Sequence, residues 1–395
     1  MRKLSQISVL VDREDKEVRA RLVRLGVRSK TVITPRRSLC LTQDQNSEAK
    51  ALRSNFEATG INELPREIDK TKLEDIDSDK EKQEDFYRDI RYRFTGIDTS
   101  TDLTTFIFSY NNRERDGRNK QPAPLETEYL CGLLNHPLND IWIPPILPEL
   151  SGRSYLPYLQ DFYSQAGSYR KVSCAGLVPH IARLEIRQLR DLYAQLGLNY
   201  FVMDFAGKHP LDMVGNINET VRMIDLIERQ TGAPCFLHAI NVPTTKAHQN
   251  KPVVPAKDIL LFEMGFNCFG SSHVRRRLPD DIAEKLRSTA KRPFRLFNRK
   301  DYGYYRDNVT GLREMLKETQ PTATSFDDFS NGMTGNKIGT LEKLFNVERH
   351  ALEAASIRKK LIESENVGKY IQSKTRIPDG FVRKIFDVSK GQSLL

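Results

Sequence analysis

The second half of the chain alternates between amphipathic segments and short apolar runs. Apolar residues at helical spacing predict helices over Ile181–Leu196, Asn218–Gln230 and Lys257–Met264, each followed by a glycine that can end it. Short apolar runs predict buried strands over Tyr200–Met203, Cys235–Leu237 and Phe266–Phe269. Strands that alternate with helices are typical of parallel β/α units. The sequence therefore predicts an α/β fold.

The first half of the chain is less regular. Apolar and β-branched runs predict strands at Ile7–Val11, Lys30–Thr34, Thr104–Tyr110, Ile141–Ile143 and Lys171–Gly176, with helices over Lys16–Leu25 and Tyr155–Gln165. Charges of both signs dominate residues 43–95, where hydrophobic residues are sparse. We interpret this range as a charged, helical or partly disordered insertion, and as a surface excursion rather than a site.

These patterns predict a (β/α)8 TIM-like barrel with a charged N-terminal insertion and a C-terminal helical extension. We assign residues 1–42 to N-terminal strands and the first barrel elements, and residues 96–315 to the barrel core with its active site. Residues 316–395 form a C-terminal helical region and a basic tail. The carboxyl ends of barrel strands face the active site, so polar residues that follow the strands are the candidates for function.

Three successive strands are followed by such residues. Asp204 follows the first; it is a candidate general base, covalent nucleophile or hydrogen-bond acceptor that reads a base, with a helix-capping or turn aspartate as the alternative. His238 is a candidate acid or base, or a core histidine, and His273 lies in a Gly/Ser turn that favours exposure. Asn241 and Asn267 could read a base edge through their amides, or pack at strand ends.

Basic residues predict contacts with a nucleic-acid backbone. Arg275, Arg276 and Arg277 follow the last of these strands, and Arg292 and Arg295 alternate with aromatic residues in a segment that could stack on bases or pack inward. The chain carries 62 Lys and Arg against 52 Asp and Glu, a net charge of +10. This surplus favours a phosphate-bearing partner only if the charge is clustered; the alternative is a mildly basic solvated surface.

Composition excludes several classes of function. The five cysteines form no C-x-x-C pair, which argues against a four-cysteine zinc site, and their odd number with no signal peptide leads us to expect a reducing, cytoplasmic location. No apolar run approaches the ~20 residues of a membrane span. A metal site from Asp204, His238 and His273 has no local motif to support it, and no nucleotide-cofactor motif occurs. We expect no metal and no cofactor.

The order of elements over residues 174–277 resembles the tRNA-guanine transglycosylase superfamily, and most of all its relatives that insert 7-deazaguanine bases into DNA. The segment ending Phe201-Val202-Met203-Asp204 is similar to the family strand whose aspartate recognises the purine, and Asp258–Arg277 is similar to the segment that carries the nucleophile. The resemblance implies exchange of guanine for a 7-deazaguanine base. It also implies that the partner is nucleic acid, with DNA favoured over tRNA because the zinc-binding cysteines of the family are absent.

The resemblance is incomplete at the nucleophile. The aspartate expected after Phe269 is Gly270 here. Two alternatives therefore stay open: a non-catalytic nucleic-acid-binding barrel or partner subunit, and an unrelated barrel enzyme that acts on a small phosphorylated substrate. The sequence predicts no oligomeric state.

Overall fold

The structure is a computed structural model that describes residues 4, 6–43, 47–112, 119–150, 152–244, 251–273, 294–307, 309–315 and 335–389. Of the predicted phosphate-contacting arginines, Arg275, Arg276, Arg277 and Arg292 lie outside the described residues.

An antiparallel sheet opens the chain. Its strands are β1 (Ile7–Glu14), β2 (Arg21–Val27) and β3 (Lys30–Thr34), in the order β1-β2-β3. The helix predicted over Lys16–Leu25 is wrong, because β2 occupies its second half and the first half is not helical. Val23, Leu25 and Val27 are fully buried at every second position, which is the spacing of a strand with one buried face.

Two parallel sheets form the centre of the molecule. One has five strands: β4 (Arg36–Arg37), β9 (Gly176–Val178), β10 (Tyr200–Asp204), β11 (Phe236–Val242) and β13 (Cys268–Ser271), in the order β4-β13-β11-β10-β9. The other has four: β5 (Leu39–Cys40), β6 (Ile61–Asp69), β7 (Leu103–Asn111) and β8 (Ile141–Trp142), in chain order. Every pairing within these two sheets is parallel. The predicted α/β class with parallel strands is confirmed.

The two parallel sheets meet at both of their ends. Strands β4 and β5 are consecutive in the chain and are separated only by Ser38. At the other end, Trp142 of β8 forms a parallel bridge with Cys174, and the Ala175 N–H donates to the Trp142 carbonyl oxygen at 2.9 Å. Backbone hydrogen bonds therefore connect β8 to the segment that leads into β9.

Helices separate most of the parallel strands. They are α1 (Glu48–Ala51), α2 (Lys70–Ser78), α3 (Lys80–Arg93), α4 (Pro124–Leu134), α5 (Gly152–Ala166), α6 (Arg183–Leu196) and α7 (Val214–Thr231). The predicted helices in the α6 and α7 segments are confirmed, and both end at a left-handed glycine, Gly197 and Gly232. The helix predicted over Lys257–Met264 is a 3-10 helix, Ile259–Met264.

The range 43–95 contains more than the charged helices α2 and α3. It also holds β6, which pairs with both β5 and β7 and is therefore an interior strand of the four-stranded sheet. The sequence pattern did not predict this strand, because its polar residues Asn62, Glu63 and Arg66 interrupt the apolar spacing, although the first two are buried. A strand inside the sheet cannot be a surface excursion.

The C-terminal region packs against this centre. A second antiparallel sheet has the order β12-β15-β14, formed by Val253–Pro255 (β12), Phe294–Asn298 (β14) and Gly303–Asp307 (β15). The described helices of the C-terminal region are α8 (Val309–Met315), α9 (Gly335–Ile362), α10 (Val367–Gln372) and α11 (Asp379–Ser389). The aromatic residues of the β14–β15 hairpin, such as Phe297 and Tyr304, are fully buried. They pack inward rather than offering a stacking surface.

Candidate functional site

Glu63 lies at the centre of a buried group of polar side chains. It projects from β6, and its side chain has no exposed surface. His238 Nε2 contacts its Oε1 atom at 2.8 Å and His273 Nε2 contacts its Oε2 atom at 2.6 Å. The Ser38 hydroxyl also donates to Oε1. These four residues, which we call the Glu63 cluster, come from β6, β11, the end of β13 and the junction of β4 with β5.

The second nitrogen of each histidine also has a partner. Tyr200 of β10 places its hydroxyl 2.9 Å from His238 Nδ1. Cys40 of β5 places its sulfur 3.6 Å from His273 Nδ1. Each imidazole is therefore held at both ring nitrogens, which fixes its orientation toward the carboxylate.

The cluster shifts the titration of its members strongly. Burial would lower the pKa of His238, but the adjacent Cys268 and Glu63 outweigh it and raise that pKa to about 10. Burial opposes the charge of His273 in the same way, and Cys40 and Glu63 raise its pKa to about 10. Burial alone would raise the pKa of Glu63, yet the two histidines hold it well below its usual range. Around neutral pH the site is a buried carboxylate stabilised by charged imidazoles.

Gly270 explains how the carboxylate fits against β13. A Cβ atom built on Gly270 would overlap both carboxylate oxygens of Glu63. The Glu63 carboxylate therefore occupies the space in which any side chain at position 270 would begin. A carboxylate is present at this place in the structure, but it comes from β6 rather than from β13.

A chain of hydrogen bonds leads from the Glu63 cluster to a second carboxylate. The backbone N–H of His273 donates to Asn241 Oδ1 at 3.0 Å, and Asn241 Nδ2 donates to Asp204 Oδ1 at 2.8 Å. The Ala206 N–H donates to the same Asp204 oxygen at 2.9 Å. Burial raises the pKa of Asp204, although the hydrogen bonds from Asn241 and Ala206 oppose the shift. The two carboxylates thus have pKa values displaced in opposite directions.

Two residues beside Asp204 are held in an uncommon conformation. Asn241 has φ 57° and Ala206 has φ 48°, both in the left-handed region. The Gly207 N–H donates to the Asn241 carbonyl oxygen at 3.1 Å, which ties the two segments together. Such strain persists where surrounding contacts impose it, and it is enriched at functional sites.

A layer of charged residues supports the end of β13. Arg37 donates from its Nη2 atom to Ser271 Oγ at 2.6 Å, and Ser271 Oγ donates to Glu48 Oε1 at 2.7 Å. Lys343 of α9 lies 2.9 Å from the same glutamate oxygen. Burial opposes the charge of Glu48, but Lys343 and Arg37 lower its pKa to about 2. This layer joins the C-terminal helix α9 to the strands that carry the cluster.

The structure brings together four of the residues that sequence analysis singled out: Asp204, His238, Asn241 and His273. It does not bring Asn267 to them. That residue precedes β13 at its amino end, and its Oδ1 accepts a hydrogen bond from the Leu237 N–H at 2.9 Å. Arg295 lies in β14, in the antiparallel sheet.

Four residues of this site were not predicted from the sequence: Glu63, Ser38, Cys40 and Tyr200. The sequence pattern that could have indicated Glu63 is a carboxylate within a short segment that also contains the apolar residues Ile61, Leu64 and Ile68. The surrounding charges concealed that signal, since an exposed charged segment has a similar composition.

No protein-family model matches the chain, and no curated protein matches its sequence. Within the described ranges, no group of three or more His, Cys, Asp or Glu side chains has the geometry to hold a metal ion. In the same part of the chain, no helix is both long enough and apolar enough to cross a membrane.

Proposed function

We propose that this chain is a transglycosylase that exchanges guanine for a 7-deazaguanine base in nucleic acid, in DNA rather than tRNA. One observation carries the proposal: two buried carboxylates, Glu63 and Asp204, have pKa values displaced in opposite directions and are joined through His273 and Asn241. Paired carboxylates with opposite shifts supply an ionised nucleophile and a proton donor at one pH.

The proposal includes a closed (β/α)8 barrel, with residues 1–34 and the C-terminal helices as additions. The five-stranded and the four-stranded sheet together supply the eight strands of such a barrel if β4 and β5 are counted as one strand that is interrupted at Ser38. Glu63 on β6 touches His238 on β11, although these strands belong to different sheets and are not neighbours in either. A contact of this kind is expected across the interior of a closed barrel, and the two sheets are also joined at both ends, between β4 and β5 and between β8 and the segment before β9.

Glu63 is the proposed nucleophile. Its carboxylate takes the place that the family resemblance expects for the side chain at position 270. Attack of a Glu63 oxygen on C1′ forms a glycosyl ester as the C1′–N9 bond breaks, and the bonding electrons pass to the departing guanine. His273 is the more exposed of the two histidines, with 9 % of its side chain accessible against none for His238. We therefore propose that His273 gives up its hydrogen bond to Oε2, which leaves this oxygen free to attack.

Asp204 is the proposed acid. Because burial favours its protonated form, it can give a proton to the departing guanine. The resulting carboxylate then accepts a proton from the incoming 7-deazaguanine, whose nitrogen attacks C1′ and releases Glu63. Two displacements at C1′ return the original configuration, and the target nucleotide must leave its stack to reach a site this deep.

A second candidate function is a nucleic-acid-binding barrel without turnover. It is favoured by the complete burial of Glu63, whose two oxygens already accept hydrogen bonds from Ser38, His238 and His273. A protein of this kind would bind nucleic acid with a strong dependence on salt and would exchange no base.

Incorporation of a labelled 7-deazaguanine base such as preQ0 into duplex DNA, and separately into tRNA, tests the proposal. We expect label in DNA with the unmodified protein, and a loss of at least about 100-fold in Glu63→Gln and in Asp204→Asn. Glu67→Gln is the matched control, because Glu67 lies on the same strand but is exposed. Tight, salt-sensitive binding without label would support the second candidate. If the protein neither incorporates label nor binds nucleic acid, both candidate functions are excluded.

A further inference from the structure

Cys40 and Cys268 each lie beside a histidine of the Glu63 cluster, but only the histidine beside Cys40 has exposed surface. The Cys40 sulfur lies 3.6 Å from His273 Nδ1, and the opposite nitrogen of that ring lies 2.6 Å from Glu63 Oε2. The three side chains form a line of thiol, imidazole and carboxylate. A thiol beside a charged imidazole that a third group orients is the arrangement that activates cysteines for covalent chemistry.

The carboxylate end of this line is held firmly. Glu63 also accepts hydrogen bonds from Ser38 and His238, so it cannot turn away from His273. The thiol end is held as well, since the Cys40 N–H donates to Glu48 Oε2 at 2.9 Å. The sulfur and the imidazole therefore remain close without any rearrangement of the backbone.

Three other cysteines provide an internal comparison. Burial raises the pKa of Cys131 to about 12, and burial together with nearby thiols or carboxylates raises the pKa values of Cys174 and Cys235 further above their ordinary range. These thiols stay protonated at neutral pH, and a protonated thiol is a poor nucleophile.

Access to Cys40 restricts the reagent. The residue is 2 % exposed, while His273 beside it and Ser271 and Ser272 before it are partly exposed. A small uncharged oxidant close to water in size can reach such a position more readily than a bulky alkylating agent. This favours peroxide as the class of reactant.

We propose that Cys40 is a peroxide-sensitive thiol and the site at which this chain is oxidised to a sulfenic acid. The sulfur attacks one oxygen of hydrogen peroxide, the O–O bond breaks, and the departing hydroxide takes a proton from the charged His273 to become water, while His273 receives the thiol proton in its place. The sulfur is oxidised to Cys–SOH and the peroxide is reduced. The step needs no other co-reactant, and it does not depend on base exchange.

The test treats the native full-length protein with hydrogen peroxide, traps sulfenic acid with dimedone and locates the adduct by peptide mass spectrometry. We expect the adduct to form on Cys40 at least about tenfold faster than on Cys131, Cys174 or Cys235. Equal rates at all four positions, or no adduct at Cys40, would overturn the proposal.

Two variants separate activation from mere access. His273→Asn and Glu63→Gln should each slow labelling of Cys40 by about tenfold and leave the other three cysteines unchanged. Circular dichroism shows whether the variants fold, and the comparison of cysteines within the unmodified protein stands if they do not. Undiminished labelling of Cys40 in a folded His273→Asn protein would show that access alone decides, and would reject the assigned role of the imidazole.

Discussion

At the scale of single residues, Glu63 decides the character of the site. An isolated carboxylate without exposed surface would be costly, and the histidines on either side compensate by donating to both of its oxygens. The same contacts keep the imidazoles charged at a pH where exposed histidines are neutral. Removing one member of such a buried group leaves the others without their partner, and this gives two tests.

The first test is Glu63→Gln. Without the carboxylate, the pKa values of His238 and His273 should fall from about 10, because only Cys268 and Cys40 then oppose the effect of burial. The free energy of unfolding should drop by about 3–5 kcal/mol, as for other broken buried pairs. Histidine titration by nuclear magnetic resonance and urea unfolding measure the two effects. Histidine pKa values that stay near 10 would show that Glu63 does not hold the charge.

The second test is Gly270→Ala. The added Cβ must displace the Glu63 carboxylate, because it would overlap both oxygens. Overpacking of this kind costs about 1–3 kcal/mol, and we expect His273 to lose its elevated pKa as well. Gly380→Ala is the control, since Gly380 lies in α11 and an added Cβ there would meet no atom within 4 Å. The control should change stability by less than about 0.5 kcal/mol. Equal stability of the two variants would show that a side chain at position 270 does not compete with the Glu63 carboxylate for space.

At the scale of elements, α9 belongs to the site and is not only an extension. Its Lys343 contacts Glu48, whose two oxygens accept from Ser271 and from the Cys40 backbone N–H. The lysine side chain is about half exposed, but the glutamate it contacts is almost completely buried. The helix therefore stabilises a charge that lies directly behind β13 and β5.

Lys343→Ala tests this connection. The pKa of Glu48 is lowered to about 2 in the folded protein, so its contribution to stability is present above its ordinary pKa of 4.5 and is lost as the pH falls toward 2. We expect a loss of about 1–3 kcal/mol at pH 7 and a much smaller loss at pH 3. Lys359→Ala, on the same helix with 74 % of its side chain exposed, is the matched control. A loss that does not depend on pH would point to packing rather than charge.

At the scale of the whole molecule, stability should fall as the pH rises from 4.5 to about 8. Glu263 of the 3-10 helix is completely buried, and among the described residues neither carboxylate oxygen has a hydrogen-bond partner. Burial raises its pKa to about 8, and the nearby Glu353 of α9 adds to the shift. The folded protein therefore holds a proton on Glu263 that the unfolded chain releases above pH 4.5. The stability that this proton provides is lost as the pH rises to 8.

Glu263→Gln removes this titration. The unmodified protein should lose stability on the order of 4 kcal/mol more than the variant between pH 5 and pH 9, from the shift of the Glu263 pKa. Urea midpoints at several pH values measure the difference, and the comparison cancels the titration of other groups. His238 and His273 lose their contribution as the pH rises from 6.5 to about 10, but they do so in both proteins, so the comparison cancels it. If the urea midpoints of the two proteins change in parallel with pH, Glu263 is not held in its protonated form by burial.

The sequence by itself determined most of the regular β/α elements. The strands at residues 200–204 and 103–111 and the helices α6 and α7 follow from local spacing, because a buried strand or an amphipathic helix repeats its apolar positions over a few residues. The polar residues at the strand ends were found for the same reason. The sequence therefore placed Asp204, His238, Asn241 and His273 as candidates without any knowledge of their contacts.

Only the tertiary structure decided how these residues are joined. Glu63 lies 175 positions before His238 and 210 before His273, and its own strand reads as a charged surface segment. Its burial depends on pairing with β5 and β7 and on the space left by Gly270, and neither is visible in the local pattern. A carboxylate at this depth is stable only because distant histidines surround it, so its role follows from packing and could not follow from periodicity.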